Sequence, residues 1–276
     1  MIEKRKNNDG ADVKRLCLIT GASAGIGAAL AWEFARAGWD LALTARREEP
    51  MITLAQELKQ AFGTTSHILT ADLSTPGACA DILARLDKKG AQIDGLVNNA
   101  GHGLTGHFVD NEWEAHKDFL TLMLEAPTEM THMVVAGMKR RGFGRIINVA
   151  SLAGHIPGSR GHTLYSAVKS YLIKFSQSLN LEMQDHGVKV SALCPGFTYS
   201  EFHDVNGTRG MVDKMPDWMW MNADDVAQSG FMALERNDAV HIPGRANKGI
   251  ALLVRLLPAK LALMLMSKNS DRVRKG

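Results

Sequence analysis

The chain has 276 residues, of which 45% are hydrophobic and 22% charged, and its Lys and Arg exceed its Asp and Glu by three. These fractions are average for globular domains and argue against a disordered chain, a collagen and a coiled coil. The small positive surplus gives no reason to expect a nucleic acid as partner. Cys17, Cys79 and Cys194 lack metal-ligand spacing and predict reduced, buried thiols instead of disulfides or a zinc site.

The first residues are polar and charged, and we expect 1–13 to form a mobile leader. They contain no apolar stretch of about 7–15 residues, which an export signal needs. No window reaches the roughly 18 apolar residues of a membrane span. The prediction is therefore a cytoplasmic protein.

From residue 14 to about 245, short aliphatic runs alternate with helical patterns. This alternation predicts one α/β domain, a doubly wound parallel sheet of about seven strands with helices on both faces. The predicted strands are Leu16–Thr20, Leu41–Ala45, His67–Thr70, Gly95–Asn98, Arg145–Val149, Lys189–Cys194 and Ala239–Ile242. Helices are predicted at 25–37, 48–62, 77–88, 111–138, 163–186 and 223–235.

A glycine-rich turn follows the first predicted strand. Strand, glycine turn and helix start are the parts that bind a dinucleotide pyrophosphate, because the helix N-terminus offers N–H groups and a positive dipole to the anion. Gly21 permits the turn, Gly25 lets the backbone approach phosphate, and Gly27 allows close helix packing. The residues expected to contact the cofactor here are Gly21, Ser23, Gly25, Ile26 and Gly27. The alternative is an ordinary glycine-rich loop.

The second predicted strand ends in Ala45-Arg46-Arg47 and carries no carboxylate before Glu48. An acidic residue there usually binds the ribose 2′-hydroxyl of NAD. Two guanidinium groups suit a 2′-phosphate instead. The prediction is NADP(H), with NAD(H) possible, and the alternative is a solvated basic pair at the start of a helix.

Further along the chain, Tyr165 and Lys169 are four residues apart and would share one face of a helix. A neighbouring ammonium favours the phenolate of a tyrosine, whose pKa is ordinarily about 10, and so prepares it for acid–base work. Ser151 follows the fifth predicted strand, where its hydroxyl could bind the same substrate oxygen. Alone, such a Tyr–Lys pair is usually only a surface helix pair.

These motifs together resemble the classical short-chain dehydrogenase/reductase family. The resemblance rests on the glycine turn, Asp72-Leu73, Asn98 to Gly101, Ser151, Tyr165, Lys169 and Pro195-Gly196, in the family's order and spacing. It implies a Rossmann-type fold and hydride transfer between a nicotinamide and a carbonyl or alcohol. It also implies that the protein is a homo-oligomer.

The resemblance assigns a role to each motif. Tyr165 would be the general acid or base, Lys169 would lower its pKa and bind the nicotinamide ribose, and Ser151 would orient the substrate oxygen. The other residues assigned to the cofactor are Asp72 and Leu73 at the adenine, Asn99, Ala100 and Gly101 near the adenosine ribose, and Pro195, Gly196 and Ser200 around the carboxamide. Without the family, Asp72 is equally consistent with a helix-entry acid.

One position departs from the family pattern. Many members carry an asparagine in the long helix after the fourth strand, and the alignment of Asp118 and Ala126-Pro127 places Met123 there. A thioether cannot replace an amide in a water-linked proton relay from Lys169. This departure motivates a second hypothesis, an NADP(H)-binding sensor or interaction protein without efficient turnover.

The loops 102–108, 152–164 and 197–220 are expected to contact substrate. The third loop is rich in aromatic and methionine residues: Phe197, Tyr199, Phe202, Met211, Met215, Trp218, Met219, Trp220 and Met221. They predict a lid over a hydrophobic carbonyl substrate, or else core or interface packing. Histidines 102, 107, 155 and 162 lack ligand partners at metal spacing, and we predict no metal.

The tail, 246–276, begins as an apolar and basic helix interrupted near Pro258. Two interpretations stay open. The favoured one is a segment that covers the active-site entrance or a subunit interface, and the other is an amphipathic anchor on a membrane surface.

Overall fold

The computed structural model describes residues 5–6, 12–104, 106–200 and 216–264. A seven-stranded parallel sheet runs through this part of the chain, with the strand order β7-β6-β5-β4-β1-β2-β3. The strands are β1 Leu16–Thr20, β2 Asp40–Ala45, β3 Ser66–Thr70, β4 Ile93–Asn98, β5 Gly144–Val149, β6 Val188–Leu193 and β7 Val240–His241. All seven predicted strands are confirmed, each to within two residues at either end.

The helices cover both faces of the sheet, as the alternation predicted. They are α1 Gly25–Arg36, α2 Glu48–Phe62, α3 Ala78–Asp87, α4 Trp113–Leu120, α5 Ala126–Arg141, α6 Thr163–Met183, α7 Ala223–Glu235 and α8 Arg245–Leu256. Strand β1 shows how the two layers form. Cys17 and Ile19 point into a core with α1, α2 and α7, whereas Leu16 and Leu18 point into a core with α3 and α5. Buried on both faces, the strand is continuously apolar.

The long helix predicted at 111–138 contains a π-helical turn in the structure. Helix α4 ends at Leu120, a π-helical turn spans Thr121–Glu125, and α5 begins at Ala126. The cause is Pro127, which has no N–H to donate and whose ring would clash with the carbonyl of Met123 four residues earlier. The wider turn relieves this clash, and the predicted helix is confirmed with this π-helical turn inside it.

Strands β1 and β4 are neighbours, although β2 and β3 separate them along the chain. The connections leave these two strands in opposite directions, which opens a crevice at their carboxyl ends. In sheets of this kind a ligand binds at such a switch point. The crevice lies between Thr20 of β1 and Asn98 of β4.

Two small ladders lie outside the main sheet. Arg5–Lys6 pairs with Asp12–Val13, and Phe197–Tyr199 pairs in parallel with Trp220–Asn222. Most of the predicted leader, the lid residues Phe202, Met211 and Met215, and the chain beyond 264 lie outside the described residues. Within the described part, no helix is long and apolar enough to cross a membrane. The three cysteines are free and buried, as predicted.

Candidate active site

The glycine turn after β1 is built around contacts that exclude larger side chains. Gly21 and Gly25 have φ values of 65° and 57°, which favour glycine. A Cβ on Gly27 would lie 2.3 Å from the carbonyl oxygen of Gly21 and 2.4 Å from Nδ2 of Asn99. The turn and the first turn of α1 are therefore in direct contact, and only glycine fits at residue 27.

Asn99 holds this turn against the end of β4. Its Nδ2 donates to the carbonyl oxygens of Thr20 at 3.0 Å and Gly21 at 3.1 Å. The Thr20 hydroxyl in turn accepts the backbone N–H groups of Asn99 and Ala100. Helix α1 starts at Gly25 without a side-chain cap. Its first N–H groups thus face the crevice at the positive end of the helix dipole.

Arg46 and Arg47 are exposed at the end of β2, beside this turn. A guanidinium N–H of Arg47 donates to the Ser23 hydroxyl over 3.3 Å, which connects the basic pair to the glycine turn. Asp72 follows β3 and accepts two hydrogen bonds from Ser74. Partial desolvation raises the pKa of Asp72, but the Ser74 bonds and the positive Arg46 outweigh it, and the pKa is lowered. The carboxylate stays charged next to the arginines.

Ser151, Tyr165 and Lys169 meet on the opposite side of the crevice. Ser151 follows β5, and the two other residues lie one turn apart on α6. The hydroxyls of Ser151 and Tyr165 are hydrogen-bonded. The ammonium of Lys169 is 5.6 Å from the centre of the Tyr165 ring and donates to the carbonyl oxygen of Val149 at 2.7 Å. The three residues predicted to form the catalytic cluster are therefore close together, around the hydroxyls of Ser151 and Tyr165.

Burial governs the charges in this cluster. Desolvation lowers the pKa of Lys169 to about 8, although the nearby Cys194 acts in the opposite direction. Desolvation also raises the pKa of Tyr165, and its hydrogen bond to Ser151 offsets this only in part. The expectation that Lys169 lowers the pKa of Tyr165 is not confirmed, because burial raises that pKa instead. Near neutral pH the tyrosine keeps its proton, while the lysine is largely charged. Cys194, which sequence reasoning assigned no role here, is a buried thiol whose pKa burial raises to about 12.

The segment after β6 closes the crevice from above. The Pro195 carbonyl accepts the backbone N–H of Leu152 at 2.8 Å, which joins this segment to the loop after Ser151. Ser200 lies over the glycine turn, since a Cβ on Gly25 would approach the Cβ of Ser200 to 3.0 Å. Residues 195–200 therefore lie next to both the loop after Ser151 and the glycine turn, which are the two ends of the predicted cofactor site.

Met123, the residue aligned with the family's helix asparagine, is buried at the candidate site. It is 2% exposed within the π-helical turn, and its sulfur packs against Gly101, where a Cβ would be 2.5 Å away. It lines a small internal cavity together with Lys169, Thr20 and Asn98. A thioether thus stands beside the lysine, and the side-chain polar groups of Thr20 and Asn98 share the cavity.

Sequence reasoning missed a buried polar chain behind the site. Nδ2 of Asn98 donates to Oδ1 of Asn148 at 2.8 Å and to the Thr131 hydroxyl at 2.9 Å. Nδ2 of Asn148 donates to the Ser176 hydroxyl at 2.8 Å. These bonds join α5, β4, β5 and α6. The signal was present in the sequence, because an asparagine within an apolar strand needs a buried partner.

Across the described residues there is no group of three His, Cys, Asp or Glu that could hold a metal ion. The described side chains of the third predicted substrate loop form an aromatic group. Trp220 stacks on Tyr199 with centroids 4.7 Å apart and contacts Phe197 at 5.5 Å, while Trp218 is 64% exposed.

Comparisons with known proteins extend these observations. Residues 15–208 match the model of the short chain dehydrogenase family. The chain is 32% identical to a very-long-chain 3-oxoacyl-CoA reductase of Laccaria bicolor, over 75% of this chain and 62% of that protein, less than two thirds of its length. It is 34% identical to an NADP-dependent 3-hydroxy acid dehydrogenase of Escherichia coli, over 72% of this chain and 80% of the relative. A short-chain dehydrogenase from Sphingobium yanoikuyae in complex with NADPH has a TM-score of 0.78 and 34% identity, with 91% and 94% of the two chains covered.

Proposed function

Because the chain belongs to the short-chain dehydrogenase/reductase family and is an NADP(H)-dependent oxidoreductase of carbonyl and alcohol groups, we propose that its substrate is a hydrophobic ketone, aldehyde or alcohol. The observation that carries the catalytic part is the hydrogen-bonded pair Ser151–Tyr165 beside the buried ammonium of Lys169. The aromatic group around Trp220 supports the apolar substrate.

The crevice fits a dinucleotide phosphate. The space that a Cβ on Gly21 or Gly27 would fill is taken by backbone and by Asn99, so the turn presents backbone to the crevice. The uncapped N-terminus of α1 suits the pyrophosphate, and Arg46 and Arg47 suit a 2′-phosphate. Gly21, Ser23, Gly25, Ile26, Gly27, Asp72, Leu73, Asn99, Ala100, Gly101, Pro195, Gly196 and Ser200 would complete the site. When bound, the nicotinamide supplies or accepts the hydride.

The protein's own residues manage the proton. In reduction, the Ser151 hydroxyl donates a hydrogen bond to the substrate oxygen, and Tyr165 gives its proton to that oxygen as negative charge develops. Lys169 holds a positive charge near the phenolate that remains. In oxidation the tyrosine works as the base. Tyr165 is protonated near neutral pH, so the free site already holds the acid that reduction needs.

A sensor without turnover is not favoured, because a protein that only binds the cofactor has no need for Ser151, Tyr165 and Lys169 in contact. Met123, near Lys169, affects how Tyr165 regains a proton after each turnover. It does not prevent Tyr165 from donating one. We also propose that the protein works in the cytoplasm as a homo-oligomer, with residues 14–245 as one domain.

The test is NADPH oxidation by the purified protein with a series of ketones, aldehydes and ketosteroids of increasing apolar surface. We expect turnover whose kcat/KM rises with the size of the apolar group, since each buried methylene adds about 0.8 kcal/mol. A 3-hydroxy acid, the substrate class of the E. coli relative, is the polar control. Faster turnover of the polar compound would overturn the apolar assignment, and no turnover with tight NADPH binding would favour the sensor.

Cofactor choice has its own test in the Arg46→Ala variant. Loss of a charge-assisted contact to the 2′-phosphate should raise the dissociation constant of NADPH by about tenfold or more and leave that of NADH nearly unchanged. Titration of each cofactor by fluorescence measures both constants. Arg140→Ala, which removes an exposed arginine from the last turn of α5, is the matched control. An equal effect of Arg46→Ala on both cofactors would refute the 2′-phosphate contact.

A further inference from the structure

Helix α8 presents leucines to solvent on one side. Leu252, Leu253 and Leu256 are 58%, 59% and 73% exposed. After the break at Pro258, the chain is helical again at 259–264, and Leu261, Leu263 and Met264 are also exposed. A contiguous exposed patch of this kind marks an interaction surface. We refer to residues 245–264 as the tail segment.

The inner side of the tail segment is fixed to the domain. Asn247 is 3% exposed and donates to the Pro243 carbonyl at 2.9 Å, and a Cβ on Gly196 would lie 2.5 Å from its Oδ1. Ala262 is also buried. The helix is thus docked beside the Pro195-Gly196 end of the site through these residues. In the described structure the leucines of α8 stay exposed, whereas the favoured expectation was a segment that covers the active-site entrance or a subunit interface.

The charges of this part of the chain have one sign. Residues 245–276 contain eight Lys or Arg and a single Asp, a net charge of +7. The whole chain carries +3, so residues 1–244 carry −4. On α8, Arg245, Lys248 and Arg255 are exposed next to the leucines. The described residues 245–264 contain four Lys or Arg and no Asp or Glu, so the surface that presents the exposed leucines is positively charged.

We propose that the tail segment docks on an anionic lipid surface, with the leucines of α8 in the interfacial layer and the basic residues at the phosphate level. Leucines flanked by lysine and arginine, without acidic residues, are the chemistry of an interfacial helix. Charge complementarity favours a lipid over a second copy, because two tail segments face to face would bring like charges together. The Asp217–Met219 turn contacts α8, and its exposed Trp218 is suited to the same interface.

This placement also bears on the substrate. Trp218 belongs to the third substrate loop, so the docked face adjoins the entrance of the site. Resting on the proposed function, the inference is that apolar carbonyl compounds dissolved in the lipid reach the site from the membrane side, where their local concentration is highest.

The test is sedimentation of the purified full-length protein with vesicles of phosphatidylcholine alone or mixed equally with phosphatidylglycerol. We expect binding to the anionic vesicles, weakened by salt because the charges are screened. The variant Leu252→Gln, Leu253→Gln, Leu256→Gln should weaken it by about tenfold or more. Exposed apolar residues elsewhere supply the matched control, Met133→Gln with Leu181→Gln, which should bind as the wild type does.

A second variant tests the charges: Lys248→Gln with Arg255→Gln should also weaken binding to anionic vesicles by about tenfold, whereas Lys88→Gln with Lys89→Gln on the opposite part of the molecule should not. Absence of binding to anionic vesicles, or equal binding of the leucine variant, overturns the proposal. A change in oligomeric mass of the leucine variant without any vesicle binding would assign the face to a second copy and also overturns it.

Vesicle binding is measured without cofactor or substrate, so its outcome does not depend on the catalytic proposal. A protein that binds vesicles but turns over no apolar compound keeps the lipid surface and loses the substrate assignment. Protein that is active on apolar compounds but does not bind vesicles keeps the substrate assignment and loses the lipid surface.

Discussion

Replacement of Tyr165 by phenylalanine is expected to reduce turnover by about 10²–10⁴-fold, the usual contribution of a positioned general acid. The ring keeps its place on α6, but the hydroxyl that is bonded to Ser151 is lost. On the described part of α6, no other side-chain hydroxyl is hydrogen-bonded to Ser151. Steady-state NADPH oxidation with the best compound of the series measures the loss.

NADPH binding should survive the same change within a few-fold, because the glycine turn and the arginines are untouched. Tyr171→Phe is the matched control. It lies on the same helix and also loses a hydroxyl, bonded to Thr128 at 2.9 Å, but stands away from the crevice. Equal turnover of Tyr165→Phe and the wild type would remove Tyr165 from the mechanism.

The second large effect is expected from Gly27→Ala. The added methyl would lie 2.3 Å from the Gly21 carbonyl oxygen and 2.4 Å from Nδ2 of Asn99. The first atom is backbone, and hydrogen bonds to the Thr20 and Gly21 carbonyls hold the second in place. Overpacking of this kind costs about 1–3 kcal/mol. Because the strain falls on the phosphate-binding turn itself, we expect NADPH to bind about 10- to 100-fold more weakly and the melting temperature to fall.

Gly249→Ala separates this clash from a general effect of losing glycine. Residue 249 is helical, and a Cβ there would have no neighbour within 4 Å. This control should bind NADPH normally and gain about 0.5–1 kcal/mol in stability, the advantage of alanine over glycine in a helix. Circular dichroism verifies that both variants are folded. Normal NADPH affinity in Gly27→Ala would show that the turn does not receive the pyrophosphate.

The sequence contained the information for the sheet and for the cluster of Ser151, Tyr165 and Lys169. Buried parallel strands appear in the sequence as short apolar runs, and the glycine turn requires specific residue types. Both can therefore be recognised from short windows of the sequence. Tyr165 and Lys169 were placed together by helix periodicity alone. Their contact with Ser151, fourteen residues before Tyr165, came from the family pattern and not from local spacing.

Other features could not be read in the same way. The π-helical turn before Pro127 is a local consequence of one ring, but the hydrophobic periodicity continues across it and gives no sign of the wider turn. The exposure of Leu252, Leu253 and Leu256 depends on how α8 docks through Asn247, a long-range contact that an amphipathic pattern does not specify. The pattern identified an apolar face, but it could not decide whether protein or another phase covers it.

The buried chain Thr131–Asn98–Asn148–Ser176 has a consequence for how this scaffold can be changed. It fastens α6, which carries Tyr165 and Lys169, to β4 and β5, and β4 in turn pairs with β1, the strand that precedes the phosphate-binding turn. A satisfied network in a low-dielectric core tolerates few rearrangements. The position of Tyr165 relative to the phosphate-binding turn is thereby set by these buried residues, and the loops outside them are free to vary. Selection for a new substrate, in nature or in the laboratory, therefore acts on the loop residues and leaves the reaction itself unchanged.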